Sequence, residues 1–208
     1  MKFFRFPAIF TVFMILAALA GGCATSGPKY IDLAYTGQPE KNRSGTLGIS
    51  RFSDMRPDQT RGGIGYRVLN DKSREVFLVQ GLDLAGTLTD LTQVYLEKKG
   101  FAVMTVPAWS PTLEGLAQAG SDKDRLLTAN INRFDCRAVK KGAITEMTLE
   151  IDLTIFLAAP GKGSLTTIPV ALALERTDVN FTRKKVESFF NDTLAEVLEK
   201  ALPLEPQQ

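Results

Sequence analysis

The residues able to do chemistry are few, and the most specific of them is a cysteine. Cys23 follows three small residues, Ala20-Gly21-Gly22, at the end of an apolar run that extends from Phe6 to Ala20. Lys2 and Arg5 precede the run, and a charged start, an apolar centre and small exit residues are the parts of a secretory signal. A thiol in this position can take up a diacylglyceryl group. The spacing therefore predicts cleavage before Cys23 and lipidation of its thiol.

The alternative for this segment is an uncleaved membrane anchor. The run from Phe6 to Gly22 has 17 residues, the short end of the range of about 17–25 for a spanning helix. Its Gly-Gly end and the cysteine favour cleavage. Removing residues 1–22 takes away two basic residues, so 25 basic and 23 acidic residues become 23 of each. A neutral mature chain gives no argument for nucleic-acid binding.

Most catalytic chemistry is excluded by composition. The chain has no histidine, which removes Ser-His-Asp and Cys-His catalysis and most zinc sites. Cys136 has no partner cysteine if Cys23 carries lipid; we expect a buried core residue, with an intermolecular disulfide as the alternative. Glu150 and Asp152 fall on the polar side of a predicted strand. We therefore predict no enzyme, no catalytic residue, no metal and no cofactor beyond the covalent lipid.

A few residues are candidates for contact with a partner. Trp109 lies in a proline-flanked loop and is the best single candidate for an exposed contact, although it could equally cap the sheet. Arg56, Arg61 and Arg67 belong to the most basic stretch, residues 51–74, where a solvated loop is the alternative. The basic triplet at 183–185 opens a predicted helix, where positive charge is mildly unfavourable. The triplet is therefore a candidate contact for a partner or for anionic lipid, and the alternative is a solvated turn.

Hydrophobic periodicity predicts the elements that position these residues. Leu84, Leu88, Leu91 and Tyr95 share one helix face, and Gly100 suits the helix end. A second amphipathic helix covers 186–201. Strands are expected at 47–52, 76–79, 101–106, 126–136, 145–158 and 168–174, with a possible short helix at 113–119.

These elements predict an α+β domain. We expect a single sheet with a strand-helix-strand unit followed by a three-strand antiparallel meander, and two amphipathic helices packed on one face. The expected organisation is a lipoprotein signal peptide at 1–22, a lipidated N-terminus and linker at 23–44, the domain at 45–202 and a tail at 203–208. Residues 54–75 are expected to be loop-like.

The residues also suggest a family. A lipobox-like segment, an Asp-x-Arg turn at residues 54–56, and the helix end Tyr95-Leu96-Glu97-Lys98-Lys99-Gly100 before a strand resemble the YajG-type family of bacterial lipoproteins. The resemblance covers most of 45–202 and implies a periplasmic domain on the outer membrane, without catalytic residues to carry over. The order of elements is similar to small lipoprotein domains such as the peptidoglycan-synthase activator LpoB and the curli-secretion protein CsgG, which favours an accessory role.

Together these observations predict a lipid-anchored accessory or binding module on the periplasmic face of the outer membrane. Ala24 follows the cysteine where an aspartate would indicate retention in the inner membrane. The expected partners are the membrane, through the lipid, and an envelope protein or a peptidoglycan-associated partner, with no nucleic acid. The alternatives are a lipid or small-ligand carrier and a subunit of an envelope secretion or assembly complex.

Overall fold

A computed structural model describes residues 27–119 and 122–202. The predicted signal peptide, Cys23 and the tail at 203–208 lie outside these residues. Within the described part, no helix has the length and hydropathy that crossing a bilayer requires.

The described residues form an α+β domain, as predicted, and contain nine strands in one mixed, curled sheet. The strands are β1 (Lys29–Ile31), β2 (Thr46–Ile49), β3 (Ser53–Asp54), β4 (Gly65–Val68), β5 (Arg74–Val79), β6 (Ala102–Thr105), β7 (Arg125–Lys141), β8 (Ile144–Ala159) and β9 (Ser164–Val179). The helices are α1 (Asp58–Arg61), α2 (Leu84–Lys99), α3 (Leu113–Ala119) and α4 (Arg183–Ala201).

Strand β7 is the central strand of the sheet, and its two edges pair with different kinds of strand. One edge pairs antiparallel with β8 along its whole length, and β8 pairs antiparallel with β9. The other edge carries three short parallel neighbours in succession: β2, β3 and β4. A register shift between Ile131 and Arg133 leaves Asn132 as an extra residue. This bulge puts two exposed residues side by side, which accounts for the mixed polarity of the segment.

The predicted strand-helix-strand unit does not form as a pair of neighbouring strands. Strand β5 and strand β6 flank α2, but β6 pairs with β2, whereas β5 pairs with β1 and β4. The edge of β7 between them is occupied by β2, β3 and β4, so the two strands flanking the helix are separated in the sheet. Residues 54–75, expected to be loop-like, supply α1, β4 and the start of β5.

The core lies between one face of the long strands and the two long helices. Residues at alternate positions of β8, from Met147 to Ile155, are buried, as the sequence pattern predicts. Helices α2 and α4 contribute side chains to the same cluster, and Phe134 of β7 stacks on Phe190 of α4 with ring centroids 5.6 Å apart. Cys136 is fully buried in this cluster, which confirms its prediction as a core residue.

Local signals fix the bounds of α2. The Asp83 side chain accepts a hydrogen bond from the Gly86 backbone N–H and caps the first turn. Gly100 has φ 111°, the left-handed conformation that glycine adopts most readily, and ends the helix as predicted.

Gly65 at the start of β4 is also required to be glycine, since a Cβ there would lie 2.1 Å from the Cys136 carbonyl oxygen.

The predicted linker at 23–44 is attached to the domain at several points from β1 onward. We call residues 29–44 the strap. Leu33 and Tyr35 are buried in the main core, and the Ala34 backbone N–H donates to the Asn191 side chain of α4 over 2.9 Å. The Lys98 ammonium donates to the Gly37 carbonyl. The breaker-rich composition reflects an irregular path over the helices, with side-chain partners satisfying the backbone.

The strap can be tested by truncating one buried and one exposed side chain. Leu33→Ala is expected to lower the free energy of unfolding by about 2–4 kcal/mol, because it opens a cavity in the core. Tyr30→Ala, at a residue 41% exposed, is expected to cost much less. Urea unfolding followed by circular dichroism measures both. Equal, negligible effects would mean that residues 29–44 behave as a free tether.

Candidate functional site

Arg56, predicted as a partner contact, is buried rather than displayed. Its residue is only 3% exposed. The guanidinium donates to both oxygens of Asp54, through Nε over 2.9 Å and Nη2 over 2.8 Å. Nη1 donates to the carbonyl oxygens of Gly63 and Phe134 over 2.7 and 3.2 Å. These contacts fill the gap on the β7 edge between β3 and β4, so Arg56 completes the sheet and belongs to the interior.

The other two predicted arginines have different surroundings. Arg61 forms an exposed ion pair with Asp58 and donates from Nε to the Arg56 carbonyl oxygen over 2.7 Å. Arg67 is largely buried: its side chain is 14% exposed, and its guanidinium lies 3.8 Å from the centre of the Phe181 ring. The three arginines therefore do not form one basic surface, and only Arg61 presents its charge to solvent.

Trp109 lies at the end of the molecule where β7 begins. The loop that carries it leaves β6 after the Val106 N–H donates to the Ile49 carbonyl oxygen over 2.9 Å. The short helix α3, found at the bounds predicted, places buried Leu116 behind the loop. Gly115 is required there, since a Cβ would lie 2.3 Å from the Ser110 carbonyl oxygen.

The loop and α3 enclose a cleft of about 430 Å³. The residues that line it are mostly apolar or small, with a carboxylate and an amide among them: Val106, Pro107, Ala108, Trp109, Gln118, Ala119, Asp122 and Leu126. Trp109 is half-buried against the small core cluster formed by Leu116, Leu126 and Ala158. Its indole Nε1 is shielded and has no hydrogen-bond partner within residues 27–119 and 122–202. Trp109 thus partly caps the sheet and also forms a cleft wall, so both interpretations hold in part.

The cleft is suited to binding. Asp122 is the acidic residue among the lining residues, and a hydrogen bond and the charge of neighbouring Lys123 hold the pKa of that carboxyl below its ordinary value. An ionised carboxylate has no role as a general acid at neutral pH. The apolar walls and the indole offer contact area for an apolar or aromatic group.

A second cleft, which the sequence did not indicate, lies on the polar face of the sheet beside the bulge. It has a volume of about 350 Å³ and is lined in part by Asp135, Glu150, Arg133 and Pro57. Asp135 and Glu150 are directly opposite on β7 and β8. Burial, and then the charge of Glu150, raise the pKa of Asp135. Glu150 forms an ion pair with Arg133. The Glu150 carboxylate is therefore already engaged by an arginine of the same sheet.

Other chemistry-bearing groups are committed to the fold. Burial raises the pKa of the Cys136 thiol to about 12, so the thiolate that would react is suppressed. Among the described residues no group of three or more potential ligand side chains could hold a metal ion.

The role of Arg56 can be tested against Arg61. Arg56→Met is expected to lower the free energy of unfolding by about 3 kcal/mol at pH 7, because it leaves a partly buried carboxylate and two carbonyls without their donor. Arg61→Met, at an exposed ion pair, should cost less than about 1 kcal/mol. Denaturant unfolding measures both values, and equal effects would contradict an interior role for Arg56.

The loss of stability in Arg56→Met is also expected to depend on pH. Burial alone would raise the pKa of Asp54, but the hydrogen bonds from Arg56 outweigh it and lower the pKa below its ordinary 3.8. A carboxyl with a lowered folded-state pKa contributes stability above pH 3.8 that is lost as the pH falls through the folded-state value. The difference between the wild type and Arg56→Met should therefore shrink below pH 3.8.

The chain matches no family model and no curated protein. Solved structures of similar shape include a Xanthomonas campestris protein of the DUF330 family, 14% identical, with a TM-score of 0.45 over 84% of this chain and 89% of that one. A putative neuraminyllactose-binding hemagglutinin homolog from Helicobacter pylori is 8% identical, with a TM-score of 0.40 over 81% and 91%. Lipoprotein GNA1162 from Neisseria meningitidis is 10% identical, with a TM-score of 0.29 over 74% and 99%. Likeness at this level carries no information on function, and the resemblance to the YajG-type family stays a prediction.

Proposed function

We propose that the chain is a lipid-anchored accessory lipoprotein of the outer membrane that binds an envelope protein through the cleft at Trp109. The observation that carries the binding role is the cleft itself: an apolar recess of about 430 Å³ with an indole wall. This volume falls in the range of about 300–1,000 Å³ typical of binding pockets. Tryptophan is also among the residues that contribute most to protein interfaces.

The anchoring role rests on the sequence around Cys23. The apolar run, the small residues and the cysteine in direct succession fit a lipoprotein processing site, and Ala24 favours sorting to the outer membrane. The Trp109 cleft belongs to the end of the domain where β7 begins, far from the start of β1. A lipid attached upstream of β1 therefore leaves the cleft free to face the periplasm.

A carrier of lipid or another small ligand is the second candidate. A groove between β9 and the end of α4, lined by Ile168, Val170, Leu172 and Val197 among others, has a volume of about 250 Å³. This is below the usual range for a pocket that encloses a ligand. The Trp109 cleft is the larger of the two, so a bound lipid should also be sought there.

The anchor is tested by metabolic labelling with a clickable palmitate analogue. The wild type should carry the label and sediment with membranes, whereas Cys23→Ala should lose both. Cys136→Ala is the matched control, since it removes the other cysteine of the chain and should keep both label and sedimentation. Label retained by Cys23→Ala would contradict lipidation at this residue.

The cleft is tested by photo-crosslinking in living cells. A photoreactive residue at Gln118, on the rim, should give one recurrent adduct with an envelope protein, whereas the same probe at exposed Thr177 should not. Trp109→Ala should weaken binding of the purified partner about 30-fold, the loss of a hot-spot residue worth about 2 kcal/mol.

Val94→Ala is the matched control, because Val94 is an exposed apolar residue on α2, and it should leave the partner's affinity unchanged. The same adduct from both probes, or an unchanged affinity in Trp109→Ala, would contradict the cleft as the binding surface. Lipid found in the purified wild type and absent from Trp109→Ala would favour the carrier.

A further inference from the structure

Several chain turns meet at the end of the molecule opposite the Trp109 cleft. Strand β4 runs parallel to β7 with Val68 beside Val139, so the turn at 69–73 lies near the β7–β8 hairpin at 142–143. Strand β9 ends at Val179 opposite Ile144, and α4 begins four residues later. We call this region the basic end; it comprises residue 29 and residues 67–75, 138–147 and 176–187.

The basic end carries a strong excess of positive charge. It contains ten lysine and arginine residues against five aspartate and glutamate residues: Lys29, Arg67, Lys72, Arg74, Lys140, Lys141, Arg176, Arg183, Lys184 and Lys185 against Asp71, Glu75, Glu146, Asp178 and Glu187. The chain from residue 23 onward has 23 of each type. The rest of it therefore has an equal excess of negative charge, and the positive excess is confined to this end.

The acidic residues of the basic end are already engaged. Glu75 is buried between Lys29 and Arg67, at 3.9 and 3.5 Å. Glu146, Asp178 and Glu187 form ion pairs with Lys141, Lys185 and Arg183 respectively, and Asp71 accepts hydrogen bonds from Ser73.

Four cations are left over. Lys72, Arg74, Lys140 and Lys184 have no carboxylate within 4 Å among the residues that the structure describes. Lys72, Arg74 and Lys184 are exposed on three different elements. Lys184 stands in the first turn of α4, where the helix dipole disfavours a cation. The fold therefore offers these charges to solvent at a small cost in stability.

The N-terminal anchor attaches beside this end. Strand β1 begins at Lys29, whose ammonium lies 3.9 Å from Glu75 of the basic end. Lys29 is six positions after Cys23, and six steps along the chain span at most about 20 Å when it is fully extended. A lipid on Cys23 would thus hold the basic end within about 20 Å of the headgroups.

We infer that the basic end docks on anionic phospholipid headgroups of the membrane that holds the lipid, and that this contact fixes the orientation of the domain. The inference rests on the anchor proposed above. Phospholipid is the ligand because the short tether places this surface next to the bilayer before it can meet another partner. In addition, each Lys or Arg near an anionic bilayer contributes about 1 kcal/mol of binding free energy. Strand β7 has 17 residues and spans roughly 50 Å. Docking therefore holds the Trp109 cleft at that height above the membrane.

The electrostatic contact between the basic end and the bilayer is tested without the lipid, on a chain that begins at Ala24 and so retains the whole described core. This truncated protein should co-sediment at low salt with vesicles of phosphatidylcholine and phosphatidylglycerol, and not with vesicles of phosphatidylcholine alone. The triple variant Lys72→Asn, Arg74→Gln and Lys184→Gln should partition about 100-fold less, since three cations are removed.

The control Lys41→Gln, Lys162→Gln and Lys200→Gln removes three exposed cations outside the basic end and should partition like the wild type. Thermal unfolding shows that both triple variants are folded. An equal loss in both, no loss in the first, or no sedimentation of the wild type would overturn the inference. Binding to soluble polyphosphate without binding to vesicles would also overturn it. The assay does not use Cys23, so failure of lipidation would be seen separately, in the labelling experiment.

Orientation is tested in the intact lipoprotein in vesicles of the same composition with dansyl-labelled headgroups. Trp109 is the only tryptophan, so energy transfer from it reports the height of the cleft. Transfer should be low in the wild type and should rise in the basic-end triple variant, which can tumble on its tether. High transfer in the wild type would overturn the docked orientation.

Discussion

The hydrogen-bond ladder of β7 is the constraint on which the other elements depend. A strand of 17 residues exposes one continuous row of donors and acceptors on each edge. On one side a hairpin partner of similar length, β8, pairs with that row along the strand except at the bulge. On the other side the first part of the chain must satisfy it in pieces, and β2, β3 and β4 pair with it one after another. The order of the N-terminal elements follows from this requirement.

Arg56 shows how the ladder is completed where no strand is available. Between β3 and β4 the chain leaves the sheet to form α1, and the Phe134 carbonyl would face an empty edge. The Arg56 guanidinium donates to this carbonyl and to that of Gly63, while Asp54 balances its charge. One side chain thus substitutes for a segment of strand. The bulge at Asn132 lies at the same place, and the sheet bends there.

Local periodicity predicted the elements well, because alternation and helical spacing are properties of single segments. The bounds of α2 and α3, the burial of β8 and the interior position of Cys136 could all be read in this way. The pairing partner of each strand could not be read from local periodicity. Whether β6 pairs with β5 or β2 depends on which edges of β7 are occupied, and that is a property of the whole sheet.

The candidate site was predictable to the same degree. Trp109 stood out by type and by its proline-flanked loop, but the cleft depends on how that loop and α3 fold against the start of β7, which periodicity does not describe. Arg56 was misplaced because its charge suggested exposure. The signal that would have corrected this is the Asp-x-Arg spacing, since an aspartate two residues before an arginine provides a local partner. For Arg67 no local signal exists: Phe181 lies more than a hundred residues away.

The strap also determines when the fold can be completed during synthesis. The Asp32 and Ala34 amides and the Tyr35 hydroxyl use Glu187, Asn191 and Glu199 of α4, at sequence separations of 155, 157 and 164 residues. The segment that follows β1 therefore has its partners in α4, which is synthesised more than 150 residues later. A nascent chain that lacks α4 cannot close its core, and long-range contacts of this kind form slowly. The native state is therefore accessible only after α4 has been made, which lengthens the time that the nascent chain spends unfolded.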